Sequence, residues 1–243
     1  FSLVVVALFL VDLGIRYREA VASAKTDALN LSAILAEHAA VTFEDIDRVL
    51  LEAQAIRKGA LSGKYADPGA ANAALRQLVK SSSILVAVGW TDASGAVVAH
   101  SYEHAPPRSN IPDMSHFIAQ RDGAGTGLFV APPYRSAGGD KWFSAASRRL
   151  NNPDGSFAGI VTAPLDQSFL LKIYRKIDLG QDGSVVLLHR VGRILARVPE
   201  QSNVLGMSVA GGPLFTQYLP VSESGSYELT SPVDGVTRIA GYK

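Results

Sequence analysis

The sequence predicts an α+β protein: a long N-terminal helix followed by two tandem modules, each an antiparallel sheet flanked by helices. Three observations predict it. No proline interrupts residues 15–57, and apolar or small residues recur there at helical spacing, among them Val21, Ala24, Ala28, Leu31, Leu35, Ile46, Val49, Leu50 and Ala53. Beyond that stretch, short β-tolerant segments alternate with glycine-containing turns. The alternation also occurs twice. Residues 88–101 (VGWTDASGAVVAHS) are echoed by residues 185–198 (VVLLHRVGRILARV), and Pro153, Asp154 and Gly155 by the turn from Pro232 to Gly235.

The chain begins with eleven almost wholly apolar residues, ended by Asp12, Arg16, Arg18 and Glu19. This run is shorter than the roughly 20 residues that span a bilayer. With no initiating Met, residues 1–12 are expected to be the end of a transmembrane helix cut by the start of the sequence; the start of a buried core helix is the alternative. The long helix, residues 13–57, would extend about 60 Å over its 40 or so periodic residues, longer than one compact domain. It therefore runs along more than one module or pairs with a second copy of itself. Glu44, Asp45, Asp47 and Arg48 mark its solvated face, and His38 lies on its apolar stripe.

A break at residues 59–69 precedes a short helix over 70–80, a buried strand over 84–90, a turn at 91–95 and a partner strand over 96–101. Pro106, Pro107 and Pro112 make residues 102–112 a loop, after which Asp113 is placed to cap a helix ending near Arg121. Gly123, Gly125 and Gly127 follow that helix and precede a strand over 128–134, the reverse of a dinucleotide fingerprint, so no cofactor is expected. Residues 142–150 and 156–165 read as two strands joined by a turn at 152–155. A helix over 167–176 and hairpins over 184–198 and 226–242 follow, with a short helix at 212–219 between them. The module boundary falls at Asp166, giving modules over 58–166 and 167–243. The second module is shorter and is expected to lack its last strand.

Composition narrows the function. The 23 Lys and Arg residues against 22 Asp and Glu leave a formal charge of +1, too little to grip nucleic acid. The absence of cysteine removes disulfides and thiolate metal sites and fits either a cytoplasmic or a periplasmic protein. His100 and His104 fall on a strand end and a loop with no second ligand pair nearby, so no metal site is expected. There is no nucleophile elbow, zinc-protease motif or phosphate loop, and no catalytic residue is assigned.

Candidate ligand-binding residues come from the strand pair 142–166 and the segment 113–117. Alternation puts Trp142, Ser144, Ala146 and Arg148 on one strand face, and Thr162 and Asp166 on one face of the return strand. A cation, an aromatic ring, two small residues and an acid are then expected to converge, poor core material but suitable lining for a small polar ligand. Arg148 is either a bidentate anchor for an anionic ligand or the structural partner of Asp166. Arg149 alternates to the other face and is read as solvated. His116, Phe117 and Tyr134 join the set, each with a packing role as its alternative.

The elements DMSHF (113–117), APPYR (131–135), WFSAASRRLNNPDGSFAGIVTAPLD (142–166) and HRVGRILARVPE (189–200), in this order behind a cut membrane helix and a long helix, resemble the double-Cache, or tandem PAS-like, extracytoplasmic sensor domains of bacterial transmembrane signalling proteins. The resemblance is closest to sensors that precede diguanylate cyclases and histidine kinases. It implies a periplasmic domain of an inner-membrane protein, a homodimer through the long helix, and a small-molecule ligand in the membrane-distal module. The output would be cytoplasmic, a diguanylate cyclase or alternatively a histidine kinase. A module serving only dimerisation or protein docking is the other reading. The amino-acid-binding branch carries an Arg-x-Trp-Tyr group, a later Tyr and a terminal Asp. Here Met114, His116 and Phe117 occupy the first group, Tyr134 the Tyr and Asp166 the Asp. Met114 stands where that branch has its carboxylate-binding Arg, so an ordinary α-amino acid is expected only if Arg148 or Arg135 supplies the cation.

Overall fold

The computed structural model describes residues 2–65, 67–80, 82, 85–104, 106, 108, 110–123, 125, 127–135, 142–166, 171, 174–201 and 203–243. Their contacts divide into two compact units, residues 42–208 and residues 1–41 with 209–243. The first helix, α1, spans Ser2–Leu61, longer at both ends than its sequence periodicity indicates.

In the unit of residues 42–208, α1 buries Ile46, Leu50 and Ala53, spaced one helical face apart. They pack with Ala71 and Leu75 of α2 (Pro68–Lys80). That helix starts at proline, whose missing N–H costs nothing in a first turn, and the Asp67 carboxylate accepts the Ala70 N–H at 2.8 Å. Both helices cover one face of an antiparallel sheet built from β1 (Gly89–Thr91), β2 (Val97–His100), β3 (Phe129–Val130), β4 (Tyr134–Arg135), β5 (Trp142–Asn151) and β6 (Phe157–Asp166). Its order is β2-β1-β6-β5-β3, with β4 also on β5. Leu85 adds a bridge to Leu165, while Ile84, the expected start of that strand, lies outside the described residues.

The β5–β6 hairpin turns where the sequence places it. Asp154 Oδ1 accepts both the Ser156 N–H, at 2.9 Å, and the Ser156 hydroxyl, at 2.6 Å. Register then decides the faces: Phe143 opposes Asp166, Ala145 opposes Pro164, Ser147 opposes Thr162 and Arg148 opposes Val161. Directly opposed residues share a face. Ala146, Leu150, Val161, Ala163 and Leu165 therefore meet α1 and α2 in one core, and Phe143, Ser147, Thr162 and Asp166 belong to the other face. Gly159, at φ +115°, lets β6 approach β1: a Cβ there would lie 2.2 Å from the Thr91 carbonyl oxygen.

The second face carries α3 (Ser115–Asp122), which seats Phe117 against Ile111 and Ile160. It starts one residue later than expected, after an N-cap Met114 that makes no side-chain bond, so Asp113 is not its cap. Gln120 Nε2 donates to the Ser147 carbonyl at 2.9 Å and to the Gly127 carbonyl at 3.0 Å, pinning the helix to the sheet. Arg149, read from the sequence as solvated, donates to the Gln120 and Arg121 carbonyls at 2.6 and 2.8 Å, where a helix C-terminus attracts a cation.

β7 (Val185–Leu188) and β8 (Ile194–Val198) form the predicted hairpin as a separate two-stranded sheet. Its His189 bonds the Val130 carbonyl through Nε2 at 2.9 Å and accepts the Val191 N–H at Nδ1, so it holds to β3 in the same compact unit. The compact grouping thus differs from a division drawn after Asp166. Of the helix expected over 167–176, only Leu171 and residues 174–176 are described, Leu171 and Tyr174 being helical.

In the unit of residues 1–41 and 209–243, a π-helical turn, Leu214–Tyr218, stands where the sequence predicts a short helix. β9 (Gly225–Thr230) and β10 (Thr237–Tyr242) pair from Thr230 with Thr237 to Gly225 with Tyr242. Arg238 donates to both carboxylate oxygens of Asp234 at 2.8 and 2.9 Å and locks that turn. Along α1 the side chains of Val4, Leu8, Phe9, Leu10 and Val11 are more than half exposed. Among the described residues, no helix is long and apolar enough to cross a membrane.

Candidate functional site

On the sheet face away from α1 and α2 lies a cavity of about 200 Å³. A buried water needs about 10–15 Å³, so a small organic molecule fits. The floor is formed by Thr91 of β1, Val97 of β2, Phe143 of β5, and Thr162 and Pro164 of β6. Tyr102, Pro106, Arg108 and Ile111 from the proline-rich loop, Met114 and His116 at α3, and Tyr134 of β4 close the sides. The enclosure is local: beyond β2 the chain passes Pro106 and returns to the sheet where Asn110 bridges Ala96.

Three of the residues singled out from sequence, His116, Tyr134 and Thr162, line this cavity. Their chemistry is set by burial. His116 is 3% exposed, its ring lies 6.3 Å from that of Tyr134 at an interplanar angle of 25°, and its Nδ1 has no hydrogen-bond partner among the described residues. Desolvation lowers its pKa to about 4, so the imidazole is neutral at pH 7. Burial, reinforced by Tyr102 and opposed by the Arg108 charge, pushes the Tyr134 hydroxyl up to about 12, so it keeps its proton. Tyr102 is likewise shifted upward by burial. Thr162 is engaged, its hydroxyl donating to the Ala146 carbonyl at 3.2 Å.

The other five are elsewhere. Phe117 is core, edge-on to Phe157 at 5.4 Å and 81°. Trp142 has Arg135 over its ring at 5.0 Å and lies against Gly206. Ser144 is buried on the helix-side strand face. Arg148 makes a bidentate ion pair with Asp47 of α1, with 3.0 Å between Nη2 and Oδ2. This corrects both the expected convergence of Arg148 with Asp166 and the reading of Asp47 as solvated. The cause is parity: opposing Phe143 to Asp166 puts Arg148 and Asp166 on opposite faces. Asp166 is exposed at the end of β6 and does not line the cavity.

Sequence reasoning passed over Tyr102, Arg108, His100 and Phe143. Prolines mark residues 102–112 as a loop without indicating that it borders a cavity, and Phe143 alternates with Trp142 and Ser144. Among the described residues no cluster of His, Asp and Glu is placed to hold a metal.

An antiparallel sheet with helices on one face and a ligand-sized cavity under a short helix on the other is the arrangement of a PAS-like module. Solved structures agree. The ligand-binding domain of the Pseudomonas fluorescens chemoreceptor CtaA, in complex with L-isoleucine, is similar at 19% identity and a TM-score of 0.65, over 92% of this chain and 87% of that one. The sensor domain of the V. cholerae histidine kinase DctB gives 13% identity and a TM-score of 0.60, over 92% of each. The extracellular domain of rpHK1S-Z16, described as that of a histidine kinase, is 34% identical, with a TM-score of 0.80, over 91% of this chain and 89% of that one. A family model described as a dCache_1-like histidine kinase sensor domain matches residues 167–243. No curated protein matches the chain. The chain belongs to the double-Cache family of extracellular sensor domains.

Proposed function

We propose that this chain is the periplasmic ligand-sensing part of a membrane-bound signal transducer, and that its ligand is a small molecule held in the cavity of the membrane-distal module, residues 58–166. The observation that carries the reading is the cavity itself, with its largely apolar floor and the few polar groups converging on it from Arg108, His116 and Tyr134. The exposed apolar side chains of residues 4–15 support continuation of α1 into the membrane. Of the two outputs that the sequence suggests, diguanylate cyclase and histidine kinase, likeness to histidine kinase sensor domains favours the second.

Signalling requires a ligand that binds two conformations unequally, since equal affinity shifts nothing. The sheet supplies the link: Phe143 and Thr162 face the cavity, while Ala146 and Arg148 on the reverse side touch α1 through Ile46, Leu50 and Asp47. A ligand-dependent change in sheet curvature would reach α1, and a homodimer through α1 would carry it across the membrane. A thermal-shift screen against carboxylates, amines, amino acids and purines tests the reading. A stabilising compound whose effect disappears in Met114→Trp, which fills the cavity, supports it. A compound whose effect survives that substitution places the site elsewhere.

A further inference from the structure

Each polar side chain described in the cavity lining can donate a hydrogen bond. Among the described residues, the lining holds a single permanent cation, Arg108, and no aspartate or glutamate. Arg108 is exposed and has no ion pair among the described residues, yet its charge is felt at the Tyr134 hydroxyl. Two imidazoles, His100 and His116, each hold a buried Nδ1 without a partner. A buried polar atom left in this way can have its bonding completed by a bound group. Tyr102 and Tyr134 add hydroxyls that keep their protons. The acceptors are fewer. The Thr91 hydroxyl oxygen already accepts the Ile160 N–H at 3.1 Å, and the Thr162 hydroxyl donates its proton to the Ala146 carbonyl.

We propose that the cavity takes a small organic monocarboxylate that carries no ammonium group, its carboxylate held by Arg108 with Tyr134 and His116, and its alkyl or aryl body lying on Val97, Ile111 and Phe143. This rests on the reading of the cavity as the sensing site and names its ligand class. A guanidinium and neutral N–H and O–H donors bind a carboxylate with charge-assisted bonds. His116 in the Nδ1–H tautomer donates to it without carrying a charge. An ammonium group would instead lose its hydration among apolar side chains with no carboxylate among the described lining residues to replace it. An α-amino acid therefore combines a favoured end with a disfavoured one.

Three probes that share one branched alkyl body separate the contributions: isocaproate with a carboxylate alone, isoamylamine with an ammonium alone, and L-leucine with both. Calorimetric titration, extended to straight-chain carboxylates from butyrate to octanoate, is expected to find at least one carboxylate that binds tenfold or more tightly than its amine and amino-acid counterparts. Arg108→Gln should weaken it about tenfold to a hundredfold with the melting temperature unchanged, as a charge-assisted bond is lost from an exposed side chain. Equal or tighter binding of L-leucine or isoamylamine, above all binding lost in Asp166→Asn, overturns the class. So does an affinity unmoved by Arg108→Gln. If no carboxylate binds while other compounds in the thermal-shift screen do, the class falls and the sensing reading stands; if nothing binds in either experiment, both fall.

Discussion

The ion pair between Arg148 and Asp47 gives the sharpest test of the face assignment. The two side chains are 19% and 25% exposed and meet in a two-bond fork between β5 and α1. Breaking a fully buried pair costs about 3–5 kcal/mol, whereas an exposed pair is worth about 0–1 kcal/mol. At this intermediate exposure, removing one partner should cost about 2 kcal/mol. For a domain of this size that lowers Tm by about 4–8 °C. Thermal and urea unfolding of Arg148→Gln, Asp47→Asn and the double variant form a complete cycle. The expected coupling is about 1–2 kcal/mol, with the double variant little worse than either single one. Strict additivity would refute the pairing. A stabilising compound that loses its effect in Arg148→Gln but not in Asp47→Asn would restore Arg148 as a ligand anchor and refute the face assignment.

Further predictions concern burial, backbone and acid sensitivity. Burial holds the folded pKa of His116 at about 4, below the unfolded value of about 6.5, so the unfolded chain binds more protons between these limits and stability falls as pH drops through that window. The loss amounts to about 3 kcal/mol, and a Tm series from pH 7 to pH 4 should flatten in His116→Phe. Gly206 adopts φ +77° and a Cβ there would sit 2.7 Å from the Trp142 ring, so Gly206→Ala should destabilise by about 2–3 kcal/mol and shift tryptophan fluorescence; a neutral substitution would contradict the packing. Hydrogen bonds from Arg238 hold the Asp234 carboxyl below the usual carboxylate range. Its stabilising contribution is therefore complete above about pH 4 and lost as pH falls further. Hydrogen exchange should show the β9–β10 hairpin opening in acid, and Asp234→Asn should remove the pH dependence.

Elements governed by local rules were legible in the sequence. The spacing of Ile46, Leu50 and Ala53 gave α1, and the turns around Asp92 to Gly95 and Asp154 to Gly155 gave their hairpins, because carboxylate-to-backbone bonds and positive-φ glycines act within four residues. The resemblance of ordered motifs gave the family. What sequence could not give was pairing parity. A shift of one residue between β5 and β6 exchanges Phe143 for Trp142 at the cavity, and nothing near either residue fixes that choice. Arg148 and Asp47 are 101 positions apart, so neither carries a local sign of the other. Arg108 and Tyr102 sit in a loop whose composition denies it regular structure but does not say that it folds back over the sheet.

Site mapping by methyl NMR tests the central claim most directly. The protein, labelled at valine, leucine, isoleucine and methionine methyl groups, would be titrated with whichever compound raises Tm most. The largest shifts are expected at Val97, Ile111 and Met114, with smaller ones at Val88, Ile46 and Leu50 where the reverse face of the sheet meets α1. Shifts confined to other surfaces, with the methyl groups of the cavity unmoved, would contradict it.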